Sequence, residues 1–212
     1  MATFKLHGHP MSTCTRRAAL IARERDIPYE LVPIQFMAPE LKQSAHLEFQ
    51  PFGQMPYIVA QDDGFTLFES RAIGRYFATL GSGPELIPTE PKAHARFEQA
   101  ASVEYSQFDP IAAVILFEKV VKPFCGATPN EELVGKLLPL LESKLDGFER
   151  ILGKQKYLAG DGLTLADLFF IPHGSIIFEK LGYGNLEKRP NVQRWWKDIS
   201  SRPSWQAVKD GA

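Results

Sequence analysis

Cysteine is scarce in this sequence, which has only Cys14 and Cys125 among its 212 residues. The two are too far apart to form a metal-binding or redox motif, so no metal site is expected. They also provide no disulfide framework of the kind that stabilises small secreted proteins. A reducing, cytoplasmic environment is therefore the expectation.

An excess of charge of one sign and long apolar runs are also lacking. The chain carries 24 basic and 25 acidic residues and a formal charge of −1. This balance argues against nucleic acid or an anionic membrane as the main partner. No apolar run reaches the length of a membrane span, and the first residues lack the basic-then-apolar pattern of a secretory signal. With 44% hydrophobic residues, we expect a soluble protein with a sizeable core.

The first 80 residues alternate short apolar runs with helical periodicity. They predict a βαβ unit, an irregular stretch and a ββα unit, with strands at residues 3–7, 29–34, 57–60 and 65–68 and helices at 15–26, 42–49 and 71–79. Because the first helix joins two strands, those strands should pair in parallel. Asp63-Gly64 between apolar runs indicates a hairpin. Arg16 and Arg17 are assigned to the solvent side of the first helix, although the helix dipole disfavours cations there.

The remainder of the chain has a different character. Residues 81–91 are rich in glycine, proline and polar side chains, which is typical of a linker. Beyond them only helical patterns occur, at residues 92–121, 131–152, 165–178, 192–200 and 205–209. We therefore predict an α/β domain at 1–80, a linker at 81–91 and an all-α domain at 92–212. Thr164 and Asp167 form an acidic capping box, which is a folding device and needs no ligand.

The turn before the first helix contains two polar residues that could cap it. Pro10 has no amide hydrogen and cannot continue a paired strand. Ser12 and Thr13 are both favourable N-cap residues. From the residues alone, Ser12 is interpreted as a helix cap, with a hydroxyl that faces a ligand as the alternative.

Several motifs in combination resemble the cytosolic glutathione transferases, and most closely their phi class. They are Pro-Met-Ser-Thr at 10–13, Pro-Phe-Gly-Gln-Met-Pro at 51–56, Phe-Glu-Ser-Arg-Ala-Ile at 68–73 and the Thr164/Asp167 box. The resemblance covers essentially the whole chain. It implies a thioredoxin-like N-terminal domain that binds glutathione, and a helical domain that contributes the pocket for a second substrate.

The resemblance implies that Ser12 is the catalytic residue. Its hydroxyl would donate a hydrogen bond to the glutathione sulfur and stabilise the thiolate, which is the reactive form. Thr13, also implied at the glutathione site, either shares this role or caps the helix. Met55 and Pro56 would form a cis peptide bond that presents the Met55 backbone to the cysteine of glutathione.

The two ends of glutathione would bind elsewhere in the same domain. Glu69 and Ser70 lie at a helix N-terminus, which suits a carboxylate. Ser70 would bind the carboxylate of the γ-glutamyl residue, and Glu69 would bind the ammonium group of the same residue. Gln54 would reach the same end of glutathione. Lys42 would bind the glycine carboxylate. Leu41 departs from the phi pattern, which has histidine before that lysine. One contact to the glycyl end that the resemblance implies therefore lacks its residue in this chain.

Two sets of apolar residues have alternative interpretations. Phe52 either anchors its own loop in the core or, as in phi-class enzymes, inserts into a partner subunit of a homodimer. Four residues are candidates for the walls of an apolar pocket that binds hydrophobic electrophiles, and they could equally be core residues. They are Met11, Phe36, Ile115 and Phe117.

Three functions remain open at this stage. The first is conjugation of glutathione to electrophiles, with reduction of organic hydroperoxides as a further activity. The second is thiol transfer or dehydroascorbate reduction, whose enzymes have cysteine at the position of Ser12. Cys14 lies about 200° round the helix from that position, which argues against this class. The third is a non-catalytic carrier of hydrophobic molecules.

Overall fold

The computed structural model describes residues 3–212. Its N-terminal elements are β1 (Phe4–Gly8), α1 (Thr13–Glu24), β2 (Tyr29–Pro33), α2 (Ser44–Leu47), β3 (Tyr57–Ala60), β4 (Thr66–Phe68) and α3 (Ser70–Thr79), with a 3-10 turn at Pro39–Lys42 before α2. The strands form one sheet in the order β2-β1-β3-β4. β1 pairs in parallel with β2, and β3 is antiparallel to β1 and β4. The predicted βαβ and ββα units are confirmed.

A close approach between β1 and α1 fixes the turn that contains Ser12. A side chain at Gly8 would place its Cβ only 2.3 Å from Thr15 Oγ1. Glycine is the one residue without a Cβ, so it lets the end of the strand meet the first turn of the helix. The turn between them is therefore short and closely held.

Helix α1 is more deeply buried than its charge pattern predicted. Arg16 and Arg17 are only 3% and 0% exposed, so their assignment to the solvent side was wrong. The guanidinium of Arg16 donates to the Lys209 carbonyl at 2.6 Å and lies 5.5 Å from the centre of the Trp205 ring. Burial lowers the pKa of Arg16, and nearby Asp210 opposes this shift.

The chain forms two compact units. One comprises residues up to Ile87 together with Arg202–Ala212, and the other is Pro88–Ser201. The last segment had been assigned to the helical domain 92–212, but it packs with the N-terminal unit. The buried Glu24 carboxylate explains this, because it accepts hydrogen bonds from Arg202 and Ser204. The C-terminal boundary of the helical domain therefore moves.

The second unit is built from helices. They are α4 (Pro91–Val103), α5 (Asp109–Leu116), α6 (Lys122–Phe124), α7 (Glu131–Leu152), α8 (Leu165–Gly174) and α9 (Pro190–Ser200), with π-helical segments at Glu104–Phe108, Phe117–Val121 and Ser175–Lys180 and a 3-10 turn at Leu186–Lys188; α10 (Pro203–Gln206) belongs to the first unit. The single helix predicted at 92–121 is interrupted by the first two π segments. Each ends two residues before a proline, Pro110 or Pro123, whose missing amide widens the local turn.

The predicted capping box at the start of α8 is confirmed. Asp167 Oδ2 accepts from the Thr164 amide at 2.9 Å and from its hydroxyl at 3.1 Å. Both side chains are buried. Separately, no helix within residues 3–212 combines the length and apolarity needed to cross a membrane.

Candidate active site

Ser12 is the N-cap of α1, and Thr13 is the first residue inside the helix. Ser12 Oγ accepts from the Thr15 amide at 3.4 Å. A hydroxyl oxygen that accepts one bond still has a proton to donate. No acceptor for this proton lies among residues 3–212. Capping and donation to a ligand are therefore compatible in one side chain, and the alternative in which Thr13 frees Ser12 by capping is wrong.

His9 holds the turn that leads into Ser12. Its carbonyl accepts from the Ser12 amide at 3.0 Å, and its Nδ1 accepts from the Met11 amide at 3.1 Å. An accepting Nδ1 requires the neutral ring. Burial also favours the neutral ring, because it lowers the pKa of His9. The His9 amide also donates to Met55 Sδ at 3.2 Å. This bond ties the turn to the loop that contains Met55.

The Met55–Pro56 peptide bond is cis, as the resemblance implied. Just before it, the Gln54 carbonyl lies 2.8 Å from His46 Nε2, a hydrogen bond that fixes the path of the loop. His46 is buried. Its role here is to hold the loop.

Lys42 and Gln50 fix the same loop from its other side. Lys42 Nζ donates to the carbonyls of Phe52 at 3.0 Å and Gly53 at 3.3 Å, and Gln50 Oε1 accepts from the Phe52 amide at 2.8 Å. An ammonium group has three donors, so Lys42 can still bind an anion. Leu41 is buried, at 8% exposure, and offers no polar group at the position where the family pattern has histidine.

The N-terminus of α3 carries a strained residue. Glu69, its N-cap, has φ of 68° and makes no side-chain bond to the first amides of the helix. Positive φ is uncommon outside glycine, and such strain concentrates at functional sites. Glu69 is exposed, whereas Ser70 is buried. The helix end can therefore present amides, one hydroxyl and one carboxylate to a ligand.

Arg17, which the sequence pattern assigned to the solvent side, is buried and contacts Ser70. Its guanidinium donates to Ser70 Oγ at 3.0 Å and lies 3.6 Å from Cys14 Sγ. Because Ser70 accepts this bond, its own proton remains for a ligand. The signal in the sequence was a pair of cations in a first helical turn, where the dipole disfavours them.

The proposed pocket residues differ in their exposure. Met11 and Phe117 are 47% and 43% exposed, and Phe36 is half-buried against the His9 ring at a centroid distance of 4.0 Å. Ile115 is 0% exposed, so it has no surface to offer a ligand. Its assignment to a pocket wall is therefore corrected to a core residue of the helical unit.

Phe52 projects from the loop before Met55. It is 64% exposed and touches Phe68 edge-on, with ring centroids 6.2 Å apart. A ring this exposed is not anchored in the core of its own chain. Lys42 and Gln50 fix the loop that contains Phe52, so the exposed ring has a defined position.

Comparisons with known proteins find similar sequences and structures over most of the chain. The family model described as "Glutathione S-transferase, N-terminal domain" matches residues 2–79, and "Glutathione S-transferase, C-terminal domain" matches 108–203. Glutathione S-transferase PM239X14 of Arabidopsis thaliana is 46% identical over 92% of this chain and 91% of its own. Glutathione transferase F7 from Populus trichocarpa superimposes with a TM-score of 0.90, at 38% identity and 98% coverage of both chains. Glutathione S-transferase I from maize, solved with an atrazine glutathione conjugate, gives 0.88 at 36% identity, covering 98% of this chain and 96% of that one.

Proposed function

The chain belongs to the glutathione S-transferase family, and on that premise we propose how its residues activate glutathione and bind a second substrate. Its relatives include phi-class members of the family. The enzyme transfers the glutathione thiolate to hydrophobic electrophiles. One observation carries the proposal: Ser12 Oγ accepts from the helix amide while its proton stays free for an anion.

Ser12 donates this proton to the glutathione sulfur as a hydrogen bond, and the thiolate does the chemistry. A free thiol has a pKa near 8.5, and lowering it by about two units requires about 2.7 kcal/mol of preferential thiolate stabilisation. One hydroxyl bond to a charged atom contributes about 1.5–3 kcal/mol. The N-terminus of α1, adjacent to Ser12, adds about 0.3–1 kcal/mol. These contributions suffice without a general base.

The γ-glutamyl end binds at the N-terminus of α3. Ser70 and the first helical amides take its carboxylate, while the exposed Glu69 takes its ammonium. Arg17 donates to Ser70 Oγ and so orients the Ser70 hydroxyl. Its buried positive charge also attracts the γ-glutamyl carboxylate. Gln54 reaches the same end of the tripeptide.

The cysteinyl and glycyl parts bind along the proline loop. The Met55 backbone pairs with the cysteine of glutathione like a short strand, and Pro56 sets its direction. Lys42 gives its remaining donor to the glycine carboxylate. Thr13, beside Ser12, completes the residues that we assign to glutathione.

The electrophile binds where apolar surface adjoins the sulfur position. Met11 directly precedes Ser12, and Phe36 packs on His9, which holds the same turn. Phe117, which is exposed on the helical unit, stays a prediction for this role. An apolar wall of this kind suits hydrophobic electrophiles.

A conjugation assay tests the proposed function. We expect turnover of an aromatic halide or an isothiocyanate only when glutathione is present, with a hydroperoxide as a third substrate. Dye binding without glutathione-dependent turnover of any of the three would contradict the proposal and favour a carrier.

Arg17→Met is expected to raise KM for glutathione about tenfold and to change kcat less. The reason is that Arg17 acts on the γ-glutamyl end through Ser70, remote from the reacting sulfur, and a charge-assisted bond of this kind contributes about 1.5 kcal/mol. Arg23→Met removes the same charge from the exposed face of α1 and should leave KM unchanged. Arg17→Lys should recover part of the affinity. Equal KM values for Arg17→Met and Arg23→Met would refute this role.

We also propose that the protein forms a homodimer and that Phe52 inserts into the partner subunit. Its exposure and its defined position support this role. Phe52→Ala should raise the dimer dissociation constant about thirtyfold, since a buried aromatic anchor at an interface contributes about 2 kcal/mol. Sedimentation velocity across a concentration series measures the effect. Phe124→Ala, at a ring 73% exposed in the helical unit, serves as the control, and matching behaviour of the two variants would exclude the clamp.

A further inference from the structure

The segment Arg202–Ala212 belongs to the N-terminal unit and runs antiparallel to α1. Its first residues bond to the Glu24 side chain, at the C-terminal end of that helix. Further along, the Lys209 carbonyl accepts from the Arg16 guanidinium at 2.6 Å, in the first turn of the helix. The segment therefore follows α1 along its whole length and reaches the turn that precedes it.

Two contacts of this segment lie on either side of Ser12. Before Ser12, the Pro10 carbonyl accepts from the Ala212 amide at 3.1 Å. After it, the Arg16 side chain donates to Lys209, and the Arg16 amide donates to the Ser12 carbonyl at 2.9 Å. The backbone on both sides of Ser12 is therefore bonded to one segment that is remote in the sequence.

Arg16 is an unfavourable residue for its place in the fold. It is only 3% exposed. Its Nε is buried and has no hydrogen-bond partner in the part of the chain that the structure describes, and a buried unpaired polar group is destabilising. Replacing buried charged groups with apolar residues of similar volume is often neutral or stabilising. Stability alone therefore does not account for an arginine at this position.

The contacts of Arg16 face the segment. Its guanidinium lies 5.5 Å from the centre of the Trp205 ring and donates to the Lys209 carbonyl. Asp210, in the same segment, opposes the lowering of the Arg16 pKa by burial, so a nearby carboxylate offsets part of the positive charge. Arg16 is thus better suited to hold the segment in place than to act on a thiolate through its charge.

We propose that Arg16 is a positioning residue for catalysis, which acts on Ser12 through the segment Arg202–Ala212. The inference rests on the proposed function, in which Ser12 donates to the glutathione sulfur. Arg16 and Pro10 hold the backbone on either side of Ser12 and so fix the direction in which its hydroxyl donates. A hydrogen bond weakens steeply as it departs from its preferred angle. A small displacement of this turn would therefore weaken the bond to the thiolate and leave the two ends of glutathione bound.

Arg16→Met should raise the pKa of the bound glutathione thiol by about 0.5 to 1, and so lower kcat/KM at pH values below this pKa by about threefold to tenfold. The dissociation constant of glutathione should change little. Tm should be unchanged or higher, because an apolar side chain can pack against Trp205 and water can bond to the exposed Lys209. A merely structural role would instead lower Tm and leave the thiol pKa unchanged.

Four variants separate the bond to the segment from the charge of Arg16. Arg23→Met removes the same charge from the exposed face of α1 and should leave the thiol pKa unchanged. Arg16→Lys keeps a donor for the Lys209 carbonyl and should recover part of the shift. Ala212→Pro keeps the charge but removes the amide that donates to Pro10, so it should also raise the thiol pKa. Ala212→Gly keeps that amide and should behave as the parent protein does.

A double variant of Ser12→Ala and Arg16→Met shows whether Arg16 acts through Ser12. Its thiol pKa should equal that of Ser12→Ala alone, because no hydroxyl remains to be positioned. Titration of the thiolate absorbance in the complex measures each pKa, and thermal unfolding measures each Tm. Additive shifts in the double variant would overturn the inference, because the charge of Arg16 would then act on the thiolate directly.

An unchanged thiol pKa in Arg16→Met also overturns the inference. Ala212→Pro decides the question in the same way if Arg16→Met does not fold. In both cases Ser12→Ala would still raise the thiol pKa, so the proposed function would stand. An unchanged thiol pKa in Ser12→Ala would overturn the proposed function and this inference together.

Discussion

Replacing Ser12 with alanine is expected to lower kcat/KM for conjugation at neutral pH by about tenfold to a hundredfold. This range follows from losing one hydroxyl bond to a thiolate, which contributes about 1.5–3 kcal/mol. The dissociation constant of glutathione should change little. The contacts that we propose for Glu69, Ser70 and Lys42 with the two ends of the peptide all remain in the variant.

The pH dependence distinguishes thiolate stabilisation from a general loss of activity. A bound thiol with a pKa near 6.5 is about half ionised at pH 6.5, and one with a pKa near 8.5 is only about one hundredth ionised. The ratio of kcat/KM between the parent enzyme and Ser12→Ala should therefore be largest at low pH. It decreases towards pH 9, where both thiols ionise. Titration of the thiolate absorbance in the complex, together with the pH profile of kcat/KM, measures the shift.

Two controls separate the hydroxyl from the other properties of this turn. Ser12→Ala also removes a helix cap, which costs about 1 kcal/mol of stability, so unfolding is measured alongside activity. Ser12→Thr keeps both the cap and the donor and should retain most of the rate. Cys14→Ser should leave conjugation intact, because in the proposed mechanism Ser12 and not Cys14 donates to the sulfur. An unchanged pH profile in Ser12→Ala would refute the assignment, and disulfide exchange that depends on Cys14 would restore the thiol-transfer alternative.

Signals carried by neighbouring residues made much of this fold predictable. Asp63-Gly64 indicated the hairpin of β3 and β4, and Thr164 with Asp167 indicated the start of α8. Helix α7 begins and ends at the predicted residues, 131 and 152, because Asn130 caps it and Gly153 follows it. In each case the groups that fix the element lie within one helical turn of it or within one hairpin.

Burial of charge could not be predicted in the same way, because it depends on partners that are remote in the chain. Arg17 bonds to Ser70, 53 residues away, and Arg16 bonds to Lys209, 193 residues away. Hydrophobic periodicity assigns any arginine to the wet face of a helix. Only the tertiary fold provides the hydroxyl and carbonyl groups that compensate two buried guanidinium groups.

Two further differences between prediction and structure concern the direction in which nearby helix positions point. Ser12 and Thr13 have nearly equal capping ability, yet neighbouring positions point about 100° apart, so propensity alone could not choose between them. Ile115 and Phe117 were assigned together, but residues two positions apart point about 200° apart on a helix. One of the pair is consequently buried and the other exposed.

Asp167→Ala is expected to destabilise the protein by about 3–5 kcal/mol. The carboxylate is 0% exposed and lies where α8 begins. Its Oδ1 accepts from the Leu158 amide and from Trp195 Nε1, both at 2.9 Å. Its Oδ2 accepts from the amide and hydroxyl of Thr164. Leaving buried donors unsatisfied costs about 1–3 kcal/mol each, and partial relaxation keeps the sum below the total of the separate losses.

Burial and hydrogen bonding act on this carboxyl in opposite directions. Full burial raises the pKa of Asp167, while the donors at Leu158, Thr164 and Trp195 oppose the shift. The contribution to stability thus depends on all the donors together rather than on the capping pair alone. Asp167→Asn is expected to fall between the parent and alanine, because it keeps one oxygen for two donors and turns an NH₂ group towards the others.

The free energy of unfolding in urea measures these differences, with thermal unfolding as a second readout. At about 2–4 °C per kcal/mol for a chain of this size, Asp167→Ala should lower Tm by about 10 °C. Asp161→Ala removes the same charge from an exposed position nearby and should stay within about 0.5 kcal/mol of the parent. A loss in Asp167→Ala of only about 1 kcal/mol would equal that of a simple helix cap. In that case Leu158 and Trp195 would find other acceptors, and Asp167 would be a cap rather than the centre that joins α8 to its neighbours.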